Sequence, residues 1–441
     1  MVAFRHIGLG LFLAQSAHCM DLDSKDGIVK ASKALASDLI KFYKGNESGH
    51  IPGLLPERGM GTDGYYWYQS GAFMGAYVDY WQLTGDKTYN DLVTKGIQWQ
   101  SGQDNDFLPV NQSSKAGNDD QSTWALAALT AAEYGFPTPS GNGSEWLDLA
   151  TAVWQEQRSR WDTEVEDDVC DGGLRWQIFQ FNTGFEYKSI LANTLFFNIG
   201  ARLARITGND TYADYASKTW EWLEASELIN NKTWAVYDGA RTTQNCSEIN
   251  KVQFSAGPAS LAMGAAFMYN FTDGSDEWKK RTQDITSATL KTFFKDGKFT
   301  EIACSKGTCP RDFITQKAQV HRWLAVTTQV APFTADSVLP ALLKSAKSLK
   351  AEGNGDDALE QTLANFSVVS NLLIADSAAP STEKETAGDK SDKAKENPSS
   401  TTSSGSSASA TDAADNAALK GTGSGSLLAI SVLILTSQWL L

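Results

Sequence analysis

The sequence predicts an all-α protein and, within that class, an (α/α)6 toroid built from about six helical hairpins. Two observations carry this prediction. Apolar residues recur at helical spacing in segment after segment, and few alternating β-branched runs separate those segments. A turn sequence that joins two helices also recurs at distant points of the chain, as expected of hairpins in a closed ring rather than in an open solenoid.

The periodic segments define the helices in chain order. Each segment has apolar side chains three and four residues apart, which places them on one face of a helix. A shorter helix is predicted at the end of the body, over residues 359–373. The other predicted helices cover residues 28–43, 71–83, 89–98, 121–134, 146–160, 189–206, 212–226, 259–269, 277–294 and 312–330.

An internal repeat marks the turns between helices. Residues 80–91 (YWQLTGDKTYND) match residues 203–214 (LARITGNDTYAD), and residues 269–278 are a looser third copy. The shared pattern places Gly85 and Gly208 at helix C-caps, where the left-handed backbone favours glycine. Each copy is therefore predicted to be the turn of one helical hairpin.

The two ends of the chain are typical of targeting segments. Residues 1–20 combine Arg5, an apolar run and small residues, as in a secretory signal peptide. Residues 376–416 are a Ser/Thr/Ala-rich disordered linker, and residues 417–441 are typical of a GPI-anchor signal that is removed on maturation. A tail-anchored helix is the alternative, although its apolar run is short. We expect a folded domain over residues 21–375 in a secreted protein, GPI-anchored at the cell surface in plasma membrane and cell wall.

Composition excludes several classes of function. The net charge is −14, and Lys and Arg are not clustered as phosphate binding requires, so a nucleic-acid partner is not expected. Removal of the leader leaves His50 and His321 as the only histidines, and neither lies near a GxSxG elbow. The abundant side chains that could take part in catalysis or binding are then carboxylates and aromatic rings.

The cysteines of the body are Cys170, Cys246, Cys304 and Cys309. An even number in an oxidising compartment predicts two disulfides, with three possible pairings. We favour a local Cys304–Cys309 link and a long Cys170–Cys246 link. Free thiolate nucleophiles and zinc sites are then unexpected.

Asp119 and Asp120 are the candidate catalytic residues. They directly precede a strongly apolar helix, with Asn118 as the predicted N-cap and Gln121 three residues on, a capping-box arrangement. Backbone N–H groups of the first turn favour an ionised carboxylate, while the like charge of a neighbour favours a proton on the other. A carboxyl pair with split titration suits a retaining glycosidase. The alternative is a pair that only stabilises the helix N-terminus.

The other two acidic doublets lie in segments that are predicted to be exposed to solvent. Asp356-Asp357 lies in a Gly-rich segment, and Asp167-Asp168 lies in an acidic run, 162–171, predicted as a solvated loop. A calcium site in that run is the one metal alternative, but nothing in the sequence requires a metal or any other cofactor.

Aromatic residues flank the aspartate pair in sequence. Tyr66 and Trp67 precede one predicted helix, and Trp176 opens a second aromatic stretch, 176–187. Aromatic faces stack on the C–H faces of sugars, and neighbouring Gln, Asn, Asp and Arg side chains bind hydroxyl groups. These residues predict a carbohydrate-binding cleft.

The string from Phe107 to Gln121 (FLPVNQSSKAGNDDQ) resembles the signature of the fungal "defective cell wall" family of GPI-anchored endo-α-1,6-mannosidases, glycoside hydrolase family 76. Residues 172–178 (GGLRWQI), 207–212 (TGNDTY) and 238–240 (DGA) are also similar to that family. The resemblance covers about residues 24–335. It implies an (α/α)6 barrel in which Asp119 is the nucleophile and Asp120 the general acid/base.

The resemblance also implies a substrate and partners. These are α-1,6-mannan or the mannose core of a GPI glycan, with water or a β-glucan hydroxyl as acceptor, in fungal cell-wall biogenesis. The alternative is a mannan-binding or scaffolding protein that has lost turnover, because this chain has Ala256-Gly257 where family members usually carry Tyr-Asn. The candidate substrate-binding residues are Tyr66, Trp67, Gln69, Asn118, Gln121, Arg175, Trp176, Asn182 and Asp238.

Overall fold

Twelve α-helices make up most of the residues that this computed structural model describes, namely 20–56, 64–138, 145–304, 310, 313–349 and 357–382. These residues all belong to one compact unit within residues 1–391. The predicted leader up to residue 19, the anchor signal and the linker beyond residue 382 lie outside the described residues. The helices are α1 Lys25–Leu39, α2 Trp67–Thr84, α3 Asn90–Gln100, α4 Asn118–Tyr134, α5 Glu145–Glu166, α6 Ile190–Thr207, α7 Asp210–Ala225, α8 Ala256–Phe271, α9 Asp276–Phe293, α10 Ile314–Val330, α11 Ala335–Lys347 and α12 Ala358–Ser370.

The even-numbered helices form a closed inner ring. Each packs on the next in the order α2, α4, α6, α8, α10 and α12, and α12 returns to α2. The odd-numbered helices lie outside, with α3, α5, α7, α9 and α11 each packed on the helix before it and α1 packed on α12. Six hairpins in a ring confirm the predicted (α/α)6 toroid.

Burial separates the two layers as the sequence pattern requires. Inner helices are covered on nearly every side, and all residues of α8 from Ala256 to Met268 are buried. Outer helices bury one stripe only: in α9 this includes Trp278, Ile285 and Phe293, and charged side chains occupy the opposite face. Helices with apolar residues on all sides therefore form the inner ring, and helices with one apolar face form the outer ring.

The repeat copies lie where the sequence analysis placed them. Gly85 and Gly208 end α2 and α6 with φ of 70° and 71°, the left-handed region that favours glycine. The third copy joins α8 to α9. Every copy therefore turns an inner helix into its outer partner.

Two short antiparallel sheets interrupt the helices. The strands β1 Tyr187–Ser189, β2 Gly239–Arg241 and β3 Ile249–Asn250 form one sheet in that order, with Tyr187 opposite Arg241 and Ala240 opposite Ile249. The strands β4 Phe294–Lys295 and β5 Lys298–Phe299 form a hairpin. The first sheet lies between the end of α5 and the start of α6 and α8, where it shapes one wall of the ring's N-terminal face.

Some helix predictions were wrong in their bounds. Helix α11 was not predicted, because Pro340 stands inside it, yet the helix forms around that proline. The acidic run 162–171 is not entirely a loop, since α5 continues to Glu166. Glu164, in the last turn of that helix, forms an ion pair, with its Oε1 2.7 Å from Nε of Arg175.

A base strap, residues 377–382, extends the folded body past the predicted boundary at residue 375. It crosses the C-terminal ends of four inner helices. The backbone N–H of Ser381 donates to the carbonyl of Glu133, 2.9 Å away, and Nε2 of Gln329 and of Gln82 donate to the carbonyl of Ala378 at 2.9 and 3.1 Å. The strap closes the end of the barrel opposite the helix N-termini.

Cys170 and Cys246 form a disulfide, which confirms that predicted pairing. Cys304 is also disulfide-bonded, whereas its predicted partner Cys309 lies outside the described residues. Within the described ranges, no helix is both long and apolar enough to cross a membrane.

Candidate active site

Asp119 and Asp120 lie in the first turn of α4, at the N-terminal end of the inner ring. The predicted cap was one residue late, because Gly117 is the N-cap and α4 begins at Asn118. Asp120 therefore occupies the position expected for Gln121, and its Oδ2 accepts a hydrogen bond from the N–H of Gly117 at 2.8 Å. This is the reciprocal half of a capping box.

Both oxygens of Asp119 accept hydrogen bonds. Oδ1 accepts from the backbone N–H of Asp120 at 3.1 Å, and Oδ2 accepts from the indole Nε1 of Trp176 at 3.1 Å. Gly117 makes this geometry possible, because a Cβ there would lie 2.4 Å from Oδ1 of Asp119. The glycine before the pair is thus required by a carboxylate that folds back against it.

Burial and mutual repulsion shift the titration of the pair. Burial raises the pKa of Asp119 well above its ordinary value, and the charge of Asp120 raises it further. Burial raises the pKa of Asp120 to about 6. Two neighbouring carboxyls of this kind share one proton and titrate as a unit.

Burial raises the pKa of Asp119 more than that of Asp120, but the hydrogen bonds of the pair favour the opposite placement of the shared proton, and only they distinguish the four oxygens. Asp119 has a donor at each oxygen, which favours the ionised form. Asp120 has a donor at Oδ2 only, and within the described residues its Oδ1 has no hydrogen-bond partner. Asp120 is therefore the member that can carry the proton into the cleft.

Arg160 of α5 holds the residues on either side of the pair. One guanidinium nitrogen donates to Oδ1 of Asn118 at 2.8 Å and to Oε1 of Gln121 at 2.7 Å. The other lies 2.6 Å from Oε2 of Glu156. Gln157 adds a hydrogen bond to the carbonyl of Asn118 at 2.9 Å. This network fixes the first turn of α4 from below.

Trp176 forms the wall beside the pair. Its carbonyl accepts from the N–H of Asn118 at 2.9 Å, and its N–H donates to the carbonyl of Tyr187 at 2.6 Å. Gly184, with φ of 103°, lies against the indole, where a Cβ would be 2.4 Å from a ring carbon. The indole N–H is therefore held toward Asp119 by backbone on both sides.

A second polar cluster continues this wall. The hydroxyl of Tyr187 donates to Oδ2 of Asp238 at 2.6 Å, and Nδ2 of Asn250 donates to the same oxygen at 2.8 Å. Burial raises the pKa of Asp238. Asn250 is exposed, so the cluster of Tyr187, Asp238 and Asn250 extends to the protein surface.

The structure divides the predicted substrate-binding residues into two groups. Tyr66 and Trp176 are exposed, at 47% and 39%. The amides and rings of the others are mostly occupied by protein contacts, as in Trp67, which donates to Gln100 and packs on Trp124. The same holds for Gln69 on Thr315, Asn118 on the carbonyl of Arg175, Gln121 on the carbonyl of Asp106, Arg175 on Glu164, Asn182 on the carbonyl of Ser114, and Asp238 on Tyr187.

Several supporting residues escaped the sequence analysis. In the sequence, Arg160 and Glu156 look like solvent-exposed charges on an outer helix. Only the fold brings them into contact with the residues beside the aspartate pair. Gly117 carried a signal, because glycine is an accepted N-cap residue and an acidic side chain, Asp120, stands three residues after it. Among the described residues, no group of three or more His, Cys, Asp or Glu side chains could hold a metal ion.

A closed (α/α)6 ring with two neighbouring carboxyls at its N-terminal face is an arrangement that suits a glycoside hydrolase. The sequence profile of glycosyl hydrolase family 76 matches residues 27–384, and the chain belongs to this family.

Relatives of known name support this membership. Mannan endo-1,6-alpha-mannosidase DCW1 of Saccharomyces cerevisiae is 41% identical over 329 residues, which cover 74% of this chain and 71% of the relative. Mannan endo-1,6-alpha-mannosidase DFG5 of the same organism is 33% identical over 400 residues, 86% of this chain and 85% of the relative.

Solved structures show the same fold. Dfg5 from Chaetomium thermophilum, in complex with glucosamine, is 42% identical with a TM-score of 0.79, over 83% of this chain and 94% of that one. An inactive variant of the alpha-1,6-mannanase of Salegentibacter sp., in complex with alpha-1,6-mannotriose, is 14% identical with a TM-score of 0.62, over 79% of this chain and 99% of that one.

Proposed function

We propose that this glycoside hydrolase is a retaining endo-α-1,6-mannosidase that acts on α-1,6-mannan or on the mannose core of a GPI glycan. The observation that carries the proposal is the Asp119–Asp120 pair, in which one carboxyl has two donors and the other an open oxygen. The names of the relatives supply the linkage and the sugar.

In this proposal each carboxyl has its own role. Ionised Asp119 attacks the anomeric carbon, the bond from that carbon to the leaving oxygen breaks, and Asp120 gives its proton to that oxygen. Asp120 then takes a proton from water as the water attacks the same carbon and releases Asp119. A β-glucan hydroxyl in place of water completes a transglycosylation instead.

The decisive experiment compares substitutions at the pair. We expect Asp119→Asn to lower kcat/KM on α-1,6-mannan at least a thousandfold, because no carboxylate remains to form the glycosyl intermediate. Asp120→Asn should lose less activity on an activated aryl mannoside, whose leaving group needs no protonation, than on α-1,6-mannan. Asp168→Asn, from another acidic doublet, is the matched control and should retain wild-type activity.

Product analysis completes the test. Mass spectrometry of a trapped intermediate should place a mannosyl adduct on Asp119, and products from a mixture with β-glucan oligosaccharides will reveal any transfer. Full activity in Asp119→Asn, or an adduct on another residue, would contradict the assignment.

The cellular location is part of the same proposal. A mannan substrate lies outside the plasma membrane, and the Cys170–Cys246 disulfide suits an oxidising compartment. We infer that the protein is secreted and held at the cell surface by a GPI lipid. Release of the mature protein from intact cells by a phosphatidylinositol-specific phospholipase tests this, and a protein that stays bound after the treatment would contradict the lipid anchor.

A further inference from the structure

A stacked pair of phenylalanines, one half-buried and one exposed, lies in the loop that follows the active-site residue Trp176. Phe179 and Phe181 lie in the loop that follows Trp176, and their rings are parallel within 7° at 5.5 Å between centroids. Phe181 is 74% exposed, which is unusual for a phenylalanine in a chain that buries most of its aromatic rings.

The loop that carries this pair is held in place at several points. The N–H of Ile178 donates to the carbonyl of Ala116 at 3.4 Å, and Nδ2 of Asn182 donates to the carbonyl of Ser114 at 3.0 Å. The guanidinium of Arg175 lies over the ring of Phe185, 4.3 Å from its centroid. The loop is thus tied to the segment that leads into Asp119 and presents a preformed surface.

The pair and the catalytic carboxyls share one structural unit. Trp176 donates a hydrogen bond to Asp119, and Phe179 and Phe181 follow it three and five residues later in the same loop. Exposed Gln180 and Thr183 flank the pair and offer hydrogen bonds to hydroxyl groups. A flat apolar face bordered by polar side chains is the arrangement that binds a sugar ring.

We propose that Phe181, backed by Phe179, is a sugar-binding platform that contacts the glycan beyond the residues held by Asp119 and Asp120. This inference rests on the proposed function, because only a polymeric glycan extends far enough to reach it. An endo-acting enzyme needs such remote contacts, since their binding energy favours long substrates over short ones. The platform therefore selects for chain length.

The test is a series of α-1,6-linked manno-oligosaccharides of increasing length. For Phe181→Ala we expect kcat/KM on the longest members to fall about tenfold, mainly through KM, while the shortest cleavable member is unchanged. Phe181→Trp should restore the preference for length. Trp99→Ala removes an exposed aromatic residue at the end of α3, outside the loop that carries Phe181, and is the matched control that should behave as wild type.

Other outcomes would overturn the platform. A loss that is equal for all lengths would indicate a general effect on the fold, and no loss at any length would show that Phe181 does not touch the glycan. Binding of phosphatidylcholine vesicles by the wild-type protein, lost in Phe181→Ala, would assign the ring to a lipid surface instead.

The failure of the proposed function is distinguishable from these results. If wild-type protein cleaves no oligosaccharide, the enzyme proposal fails first. Calorimetry with Asp119→Asn, with and without Phe181→Ala, then measures length-dependent binding without turnover. Equal affinities for long and short glycans in that background would overturn the platform by itself.

Discussion

Asp120 performs two tasks that compete with each other. Its Oδ2 caps α4 through the N–H of Gly117, a contact that favours the ionised form, while the proposed chemistry needs it protonated. Burial raises its pKa to about 6, so that the capping hydrogen bond and the proton coexist at mildly acidic pH. A helix cap is here also the proposed acid.

The raised pKa values of Asp119 and Asp120 make the folded protein less stable as the pH rises. A carboxyl with a higher pKa in the folded state makes the fold bind protons, so stability falls as pH rises from 3.8 toward about 6. We expect Asp119→Asn to stabilise the protein by about 1–2 kcal/mol at pH 7, because it removes a buried ionisable carboxyl and with it the repulsion that grows as Asp120 loses its proton. Thermal unfolding at pH 7 and pH 4 measures this.

The gain should vanish at pH 4, where both carboxyls of the wild type are protonated. Asp168→Asn is the control and should show no such dependence on pH. An Asp119→Asn variant that is equally stabilised at both pH values would mean that charge repulsion is not the cause.

At the scale of elements, the loop between α5 and β1 depends on one buried lysine. Nζ of Lys188 donates to the carbonyls of Val169 and Gly172 and lies 3.2 Å from Oε2 of Glu164. Burial lowers the pKa of Lys188 to about 8. This loop carries Cys170 and leads directly into Trp176, so the lysine supports both the disulfide and the active-site wall.

We expect Lys188→Met to cost about 3 kcal/mol of unfolding free energy, because two carbonyls and a carboxylate lose their buried partner. Chemical denaturation measures the loss, and kcat should fall as well if the loop no longer places Trp176. The control is Lys41→Met, whose ion pair with Asp38 is exposed and worth little. Equal effects of the two substitutions would refute the role of Lys188.

At the scale of the whole molecule, the ring is held by buried ion pairs inside it and the base strap outside it. Arg202 pairs with Glu133 at 2.7 Å between α6 and α4, and both side chains are 1% exposed. Arg322 pairs with Asp79 between α10 and α2. The base strap then ties the ends of these same helices together through Gln82, Glu133 and Gln329.

A chain that ends at Ala375 should therefore be less stable than one that ends at Thr382, by about 2 kcal/mol for the lost hydrogen bonds. Thermal unfolding of the two chains, with the full-length protein as reference, provides the comparison. The chain ending at Thr382 should match the full-length protein. Equal melting temperatures of the two shortened chains would show that the base strap adds nothing.

Sequence periodicity predicted the ring because inner helices are apolar on all sides and because the repeat recurs at Gly85 and Gly208. It also predicted Asp119 and Asp120 as the candidate pair, from their place before the helix. It did not predict the support by Arg160, since that contact joins residues on different helices. Buried Gln69 and Gln121 were expected at the substrate because their burial depends on packing that local pattern does not encode.

The base strap also decides how the molecule faces its surroundings. The aspartate pair lies at the N-terminal end of the inner ring, whereas residues 377–382 run across the C-terminal end, and Lys25 at the start of α1 lies 3.7 Å from Asp376. Whatever is joined after residue 382 therefore starts from the floor of the barrel. If the proposed lipid anchor follows, the chain that leads to it leaves the barrel at the end opposite the aspartate pair.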